Sequence, residues 1–255
     1  MADATQRDAM GPVAMRVVQR GAAELRIFED ADALVTAAAA ALLEVRAAGP
    51  CHIALAGGST PEALYRRIAD LAPGGWDDTQ LWFGDERGVG PEHADSNWRM
   101  AKDAFMHRVA IAPEQVHRMR GELTADDAAY EYEAELRASF GAVPWPRFDI
   151  VLLGVGEDGH TASLFPGTTA LGETTRWVVP NWVPKLDTWR ITLSMPVLCA
   201  AKQAWIFAVG ARKAAILREV LGGREDPRAY PVQAVVPSDG GLVWWIDEAA
   251  AAGLG

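Results

Sequence analysis

The chain has 255 residues, of which half are hydrophobic and 23% are charged, and its formal net charge is −10 at pH 7. This composition is typical of a soluble globular protein, and the acidic balance argues against a nucleic-acid partner, which would need a basic surface. The longest uncharged stretch in the N-terminal half, residues 33–43, is about half of the roughly 20 residues of a membrane span, so no membrane segment is expected.

Short apolar runs alternate with longer amphipathic stretches along the chain. This alternation predicts buried strands and helices in turn. The predicted helices cover residues 31–47, 61–71, 96–107, 124–140 and 211–221. The predicted strands cover residues 52–56, 80–84, 148–154, 177–179, 191–193, 204–209 and 242–246.

Apolar strands separated by helices predict a doubly wound, mostly parallel sheet with helices on both faces. Neither a repeat nor a linker is visible, so we expect one α/β domain over residues 20–255, preceded by a tail at residues 1–19. In such sheets ligands bind beyond the carboxyl ends of the strands. A site is therefore expected in the loops after residues 56, 84, 154 and 209.

The N-terminal segment and the cysteines indicate the cytoplasm. Residues 1–12 lack the apolar stretch of a secretory signal. Cys51 and Cys199 are far apart, which is typical of reduced thiols and provides no Cys-x-x-Cys pair for a metal. We expect no metal and no other cofactor.

The loop after residue 56 combines two glycines with two hydroxyl side chains. Gly57 and Gly58 allow the backbone to approach a ligand, and Ser59 or Thr60 can cap the following helix, with Ser59 and Glu62 at the spacing of a capping box. A helix N-terminus with exposed amides and hydroxyls also binds phosphate. These residues alone fit a plain capped turn equally well.

The loop after residue 84 carries Asp85, Glu86 and Arg87. Because buried charge is costly, such residues pair with one another or meet a ligand, and arginine suits a phosphate. These residues alone favour the alternative, a solvated charged turn.

Two further positions carry cations beside predicted strands. Lys213 either meets an anion at the end of the sheet or is, like Arg212, only a solvated helix charge. Arg190 lies just before another strand and leaves the same alternatives open. Cations at the start of a helix oppose its dipole, which slightly favours a ligand.

The loop after residue 154 is the most informative. It contains three glycines and places His160, a potential general base, two residues after the carboxylate of Asp158. Its glycines differ from the dinucleotide-binding fingerprint, which opens a helix early in a βαβ unit and has an acid about 20 residues later. The loop therefore favours acid–base chemistry, and the other four histidines are interpreted as structural or exposed.

Together the four loops resemble the 6-phosphogluconolactonase family, within the wider group that includes glucosamine-6-phosphate deaminase. The resemblance implies a single Rossmann-like α/β domain that hydrolyses 6-phospho-D-glucono-1,5-lactone to 6-phospho-D-gluconate in the oxidative pentose phosphate pathway. Its partner is then a small phosphorylated sugar lactone, and a monomer or small homo-oligomer is expected. The matching segments are LAGGSTPEALY at 55–65, WFGDERGV at 82–89, DSNWRMA at 95–101, FDIVLLGVGEDGHTASLFPGT at 148–168, RITLSMPVL at 190–198 and VGARKA at 209–214.

The resemblance also implies the roles of individual residues. His160 matches the catalytic histidine and Asp158 its neighbouring acid, and Arg87 matches an active-site arginine. As a hypothesis, His160 activates a water, and amides of the 156–159 loop or Arg87 hold the oxyanion. The substrate- and phosphate-binding positions are Gly57, Gly58, Ser59, Thr60, Asp85, Arg190 and Lys213.

Two alternative functions are weighed against this one. The deaminase branch follows its Asp-Gly-His with Phe-Asn-Glu-Pro, whose Glu assists ring opening, whereas residues 161–166 here contain no carboxylate. It also has Asp-Glu-Tyr where this chain has Asp-Glu-Arg at 85–87. A non-catalytic sugar-phosphate sensor would carry a fused helix-turn-helix, for which the segment before Arg20 is expected to be too short. The residues favour a lactonase.

Overall fold

The computed structural model describes residues 15–72 and 74–254. The strands are β1 (Met15–Arg20), β2 (Ala23–Phe28), β3 (Cys51–Leu55), β4 (Thr79–Phe83), β5 (Asp85–Arg87), β6 (Ile150–Gly154), β7 (Val178–Val183), β8 (Thr188–Leu193), β9 (Gln203–Ala208) and β10 (Gly241–Asp247). The α-helices are α1 (Ala31–Ala47), α2 (Ser59–Leu71), α3 (Asn97–Ala104), α4 (Ala125–Phe140), α5 (Met195–Cys199), α6 (Ala214–Leu217) and α7 (Glu248–Ala251).

The strands form two sheets of different character. The larger has seven strands in the order β1-β2-β10-β9-β6-β3-β4, and β1 runs antiparallel to β2 while the other neighbours run parallel. In β6 and β9 successive residues are buried, so both faces of the sheet are covered. The predicted mostly parallel, doubly wound α/β sheet is confirmed.

Two parts of the architecture were not predicted. Strands β1 and β2 extend the sheet ahead of the first predicted helix, and β1 begins inside the segment expected to be a tail. Most residues of β1 are exposed, so its sequence lacks the apolar run of a buried strand. Residues 1–14 of the expected tail lie outside the described residues.

The second sheet, β5-β8-β7, is antiparallel and small. Its strand β5 is the segment whose residues favoured a solvated turn, and that interpretation is wrong because Asp85 and Glu86 are both buried. Three charged residues carry no periodicity that distinguishes a strand from a turn. Pairing with β8, which lies about 100 residues later, makes this segment a strand.

The order of the strands creates a crevice between β3 and β6. After β3 the chain crosses to β4 on one side, and it later returns to β6 on the other side of β3. The loops that follow β3 and β6 therefore diverge from a switch point, where ligands of such sheets bind.

Aromatic side chains fill much of the core around this sheet. Trp244 and Trp245 are buried in β10. The Trp82 indole stacks on His117 with ring centroids 3.8 Å apart and donates its Nε1 hydrogen to His52 Nδ1 at 3.1 Å. These two histidines thus have packing roles.

Across residues 15–72 and 74–254, every helix is too short or too polar to cross a membrane.

Candidate active site

A cavity of about 260 Å³ opens at the switch point. All four loops in which a site was expected contribute to its walls. The imidazole of His160 and the two-glycine turn after β3 therefore face one space. The lining includes Gly57, Gly58, Ser59, Thr60, Asp85, Arg87, Gly156, His160 and Lys213.

The first wall is the turn at residues 57–60, which leads from β3 into α2. Gly58 occupies the cap position with φ 106°, a left-handed conformation that favours glycine, and its carbonyl accepts the Glu62 amide at 3.0 Å. The expected side-chain cap by Ser59 or Thr60 and the capping box with Glu62 are therefore wrong, since the Glu62 carboxylate instead pairs with Arg66 at 2.7 Å. Both hydroxyls lie in the first helical turn, at the cavity.

Gly57 allows this turn to lie directly against α3. A Cβ atom at Gly57 would be 1.8 Å from Asn97 Oδ1, so no larger residue fits without movement. The buried Asn97 amide donates from Nδ2 to the Asp85 carbonyl at 2.9 Å and to its carboxylate at 3.3 Å. Asn97 thus joins the 57–60 turn to β5, which forms the second wall of the cavity.

Lys213 provides a cation at the cavity wall. Its Nζ donates to the carbonyl of Val155 at 2.8 Å, and burial lowers its pKa. Arg212, its neighbour, is 91% exposed and 3.9 Å from Glu157, as expected for a solvated charge. Of the two cations in this turn, Lys213 is the one that reaches the cavity.

Glu86 stabilises the second wall of the cavity by binding the N-terminus of α3. Its carboxylate accepts the backbone amides of Asn97 at 2.7 Å and Trp98 at 2.8 Å, at the N-terminus of α3. Burial raises the pKa of Glu86, while these hydrogen bonds to backbone amides lower it. The residue anchors the helix that carries Asn97, which explains a buried carboxylate beside the cavity.

Asp85 and Arg87 belong to β5 and line the cavity. The Asp85 carboxylate accepts the Ser163 hydroxyl at 2.6 Å, and the Arg87 guanidinium donates to the carbonyl of Asp95. Arg190 lies opposite Arg87 in the pairing of β5 with β8. Among the described residues, Arg190 is not one of those lining the cavity, so its expected place at the phosphate has no support from the cavity walls.

The third wall holds an imidazole and a carboxylate in contact. His160 Nδ1 is 2.5 Å from Asp158 Oδ1, and the same oxygen accepts the His160 backbone amide at 3.2 Å. The ring of Phe165 stacks on the imidazole with centroids 4.0 Å apart. A Cβ at Gly156 would lie 2.0 Å from His160 Nδ1, so this glycine permits the ring's position.

The surroundings of His160 favour its neutral form. Burial lowers its pKa to about 4, the positive charges of Lys213, Arg190 and Arg87 act in the same direction, and Asp85 opposes them. A neutral imidazole at pH 7 is able to accept a proton. Asp158 fixes the ring through Nδ1, so Nε2 is the nitrogen left for a ligand or water.

The glycine amides of this loop are used within the loop itself. The Gly156 amide donates to the His160 carbonyl at 2.9 Å, and the Gly159 amide donates to the Gly156 carbonyl at 3.0 Å. These two amides are therefore not free to hold an oxyanion, and of the amides expected in that role those of residues 157 and 158 are left. Arg87 is the other candidate, and it does line the cavity.

Sequence reasoning missed four residues that support the site. Asn97 and Phe165 stand within the motifs quoted above, but their types gave no reason to place them beside a turn or an imidazole. Ser163 donates its hydroxyl hydrogen to the Asp85 carboxylate at 2.6 Å. Lys185, whose Nζ forms an ion pair with Asp158, lies in a turn of the small sheet and had no sequence signal.

Residues 26–244 match the family model described as glucosamine-6-phosphate isomerases/6-phosphogluconolactonase. The 6-phosphogluconolactonase of Nostoc sp. is 40% identical over 217 residues, which cover 82% of this chain and 87% of that protein. The chain belongs to this family. The 6-phosphogluconolactonase of Rattus norvegicus is 39% identical over 223 residues, 86% of each chain.

A solved structure of this family has the same fold. The 6-phosphogluconolactonase from Trypanosoma cruzi superposes with a TM-score of 0.81 at 26% identity, covering 90% of this chain and 96% of that chain. The resemblance drawn from the loop motifs is thereby confirmed.

Proposed function

We propose that this chain is a 6-phosphogluconolactonase, which hydrolyses 6-phospho-D-glucono-1,5-lactone to 6-phospho-D-gluconate in the oxidative pentose phosphate pathway. The observation that carries the proposal is the shared cavity: a neutral imidazole held by a carboxylate faces the same space as a helix N-terminus and a lysine. The 6-phosphogluconolactonases among its relatives support the same activity.

The phosphate of the substrate binds at the 57–60 turn. The first turn of α2 presents amides and the hydroxyls of Ser59 and Thr60, and the Lys213 ammonium adds a full positive charge. Gly57 and Gly58 allow the backbone to come close. Binding energy at this end of the sugar then fixes the position of C1 at the other end.

His160 acts as the general base on the hydrolytic water. Nε2 removes a proton while the water oxygen bonds to C1, and the ring then returns a proton to the endocyclic oxygen as its bond to C1 breaks. Asp158 orients the imidazole and stabilises its protonated form. Such acid–base assistance contributes about 10²–10⁴-fold to the rate.

Arg87 holds the oxyanion that develops on the carbonyl oxygen, because it lines the cavity, whereas residues 157 and 158 do not and the amides of Gly156 and Gly159 are already bound. Asp85, an acceptor at the cavity wall, binds a sugar hydroxyl rather than the phosphate, which it would repel. Arg190, which lies opposite Arg87 in the pairing of β5 with β8, contributes positive charge to the site.

A deaminase function is less well supported. The segment at 161–166, where the deaminase branch places its Glu, packs into the protein here: Thr161 and Leu164 are fully buried, and Ser163 binds Asp85. Phe165 covers the imidazole. No position in this segment offers a carboxylate to a sugar ring.

We also propose the domain organisation, location, oligomeric state and partners of this enzyme. Residues 20–255, with the edge strand β1, form one catalytic domain that works in the cytoplasm as a monomer or small homo-oligomer. Its partner is the phosphorylated lactone, and it uses neither a nucleic acid nor a membrane.

A pH-stat assay with freshly generated 6-phosphogluconolactone tests the proposal, with glucosamine 6-phosphate as the parallel control. We expect acid release far above the spontaneous hydrolysis of the lactone and no ammonia from the amino sugar. Ammonia release would favour the deaminase. Binding of either compound without turnover would favour a sensor.

A further inference from the structure

Lys185 connects the small sheet to the proposed catalytic histidine. It lies in the turn Pro184–Leu186, at the tip of the β7–β8 hairpin. Its Nζ forms an ion pair with Asp158 Oδ2, while Asp158 Oδ1 contacts His160 Nδ1 at 2.5 Å. One carboxylate is thus held from two sides, by an ammonium and by the imidazole.

The same ammonium makes a second contact that leads to His160. Lys185 Nζ is 4.8 Å from the centre of the Phe165 ring, at a cation–π distance. That ring stacks on the imidazole at 4.0 Å with an angle of 22° between the planes. Lys185 therefore contacts both groups that fix the imidazole, one at its edge and one on its face.

We propose that Lys185 is a positioning residue, which holds the Asp158 carboxylate and the Phe165 ring against His160 and offsets the negative charge of that carboxylate at the imidazole. The catalytic meaning of this arrangement rests on the proposed lactonase function. Lys185 itself does not line the cavity at the switch point, so it acts through its two neighbours.

The physical reason is a balance of charges around one ring. A carboxylate in contact with an imidazole stabilises the protonated ring, which cannot serve as a base. An ammonium on the far oxygen of that carboxylate offsets the effect and leaves the carboxylate oriented. The charged side chains that face His160 from the surrounding elements are Asp158, Asp85, Arg87, Arg190, Lys213 and, through Asp158, Lys185.

The test compares Lys185→Met, which keeps the length of the side chain, with Lys185→Arg, which keeps its charge. The pKa of His160 is measured by NMR titration of the ring in the resting protein and assigned with His160→Gln. We expect a value of about 4 in the original protein. Lys185→Met should raise it by roughly 0.5–1 pH unit, as expected for loss of one charge near a partly exposed site. Lys185→Arg should stay close to the original value.

The acid limb of the kcat/KM profile should move to higher pH by the same amount in Lys185→Met. Arg212→Met is the matched control, because it removes a solvated cation of the neighbouring loop and should leave the titration unchanged. A Lys185→Met protein with the original His160 pKa would overturn the inference, and so would equal shifts in the Met and Arg variants.

The NMR titration needs no turnover. If the pKa moves as expected but the protein does not hydrolyse the lactone, the proposed function fails and the charge balance stands. If Lys185→Met does not fold, Lys185→Gln gives the same comparison, since this side chain is 51% exposed.

Discussion

The two sides of the cavity are built in different ways. The proposed phosphate side consists of one short segment, residues 57–60 after β3, and of Lys213, which follows β9. The imidazole side is assembled from three distant parts: strand β5, the loop after β6 and the tip of the β7–β8 hairpin. A binding turn can thus be contained in a few consecutive residues, whereas the reactive group depends on long-range contacts. Changes on the phosphate side should alter affinity, and changes on the imidazole side should alter rate.

The largest effect is expected for His160→Gln. Loss of the general base should lower kcat by about 10²–10⁴-fold and leave KM for the phosphorylated lactone nearly unchanged. Steady-state kinetics, corrected for spontaneous hydrolysis, measure both values, and circular dichroism checks the fold. A variant that keeps most of its kcat would remove His160 from the mechanism.

Lys213→Met should weaken the binding of the substrate's phosphate. A charge-assisted hydrogen bond contributes about 1.5–3 kcal/mol, so kcat/KM for the phosphorylated lactone should fall by roughly 10–100-fold. Unphosphorylated gluconolactone should be hydrolysed at an almost unchanged kcat/KM. Arg212→Met serves as the control, since that cation is solvated. An unchanged preference for the phosphorylated substrate would show that Lys213 does not bind the phosphate.

Gly57→Ala should affect both sides of the cavity, and its effect should be smaller than those of His160→Gln and Lys213→Met. The new Cβ would be 1.8 Å from Asn97 Oδ1, so Asn97 must move and weaken its hydrogen bonds to Asp85. We expect a loss of about 1–3 kcal/mol in the free energy of unfolding, as for other overpacked positions, together with changes in both kcat and KM.

Urea unfolding of Gly57→Ala, Asn97→Ala and the double variant checks this contact. Asn97→Ala removes the clashing oxygen, so the two changes together should cost less than the sum of the single changes. Strict additivity would mean that the 57–60 turn and Asn97 do not constrain each other.

Much of the main sheet was accessible from the sequence. Strands such as β6 are apolar throughout because both of their faces are buried, and this pattern survives in a single sequence. The loops after residues 56, 84, 154 and 209 followed from the direction of the strands, and all four reach the cavity. The sequence placed a carboxylate two residues before His160, and only the structure showed that Asp158 Oδ1 reaches His160 Nδ1, at 2.5 Å.

Other features had no local signal. The cap of α2 was assigned to Ser59 or Thr60, but the helix already begins at Ser59, so Gly58 occupies the cap position. The exposed strand β1 and the charged strand β5 lack the periodicity of buried strands. Their structure comes from partners elsewhere in the chain.

The sequence by itself determined the family and the loops in which a site was expected, and it singled out the candidate site residues, because these depend on contiguous motifs and on burial patterns. Only the tertiary structure decided which charges meet. Glu86 supports a helix, Arg190 lies opposite Arg87, and Lys185 reaches Asp158. Contacts of this kind join side chains far apart in sequence, and their energies depend on distance and burial, which a residue's type does not encode.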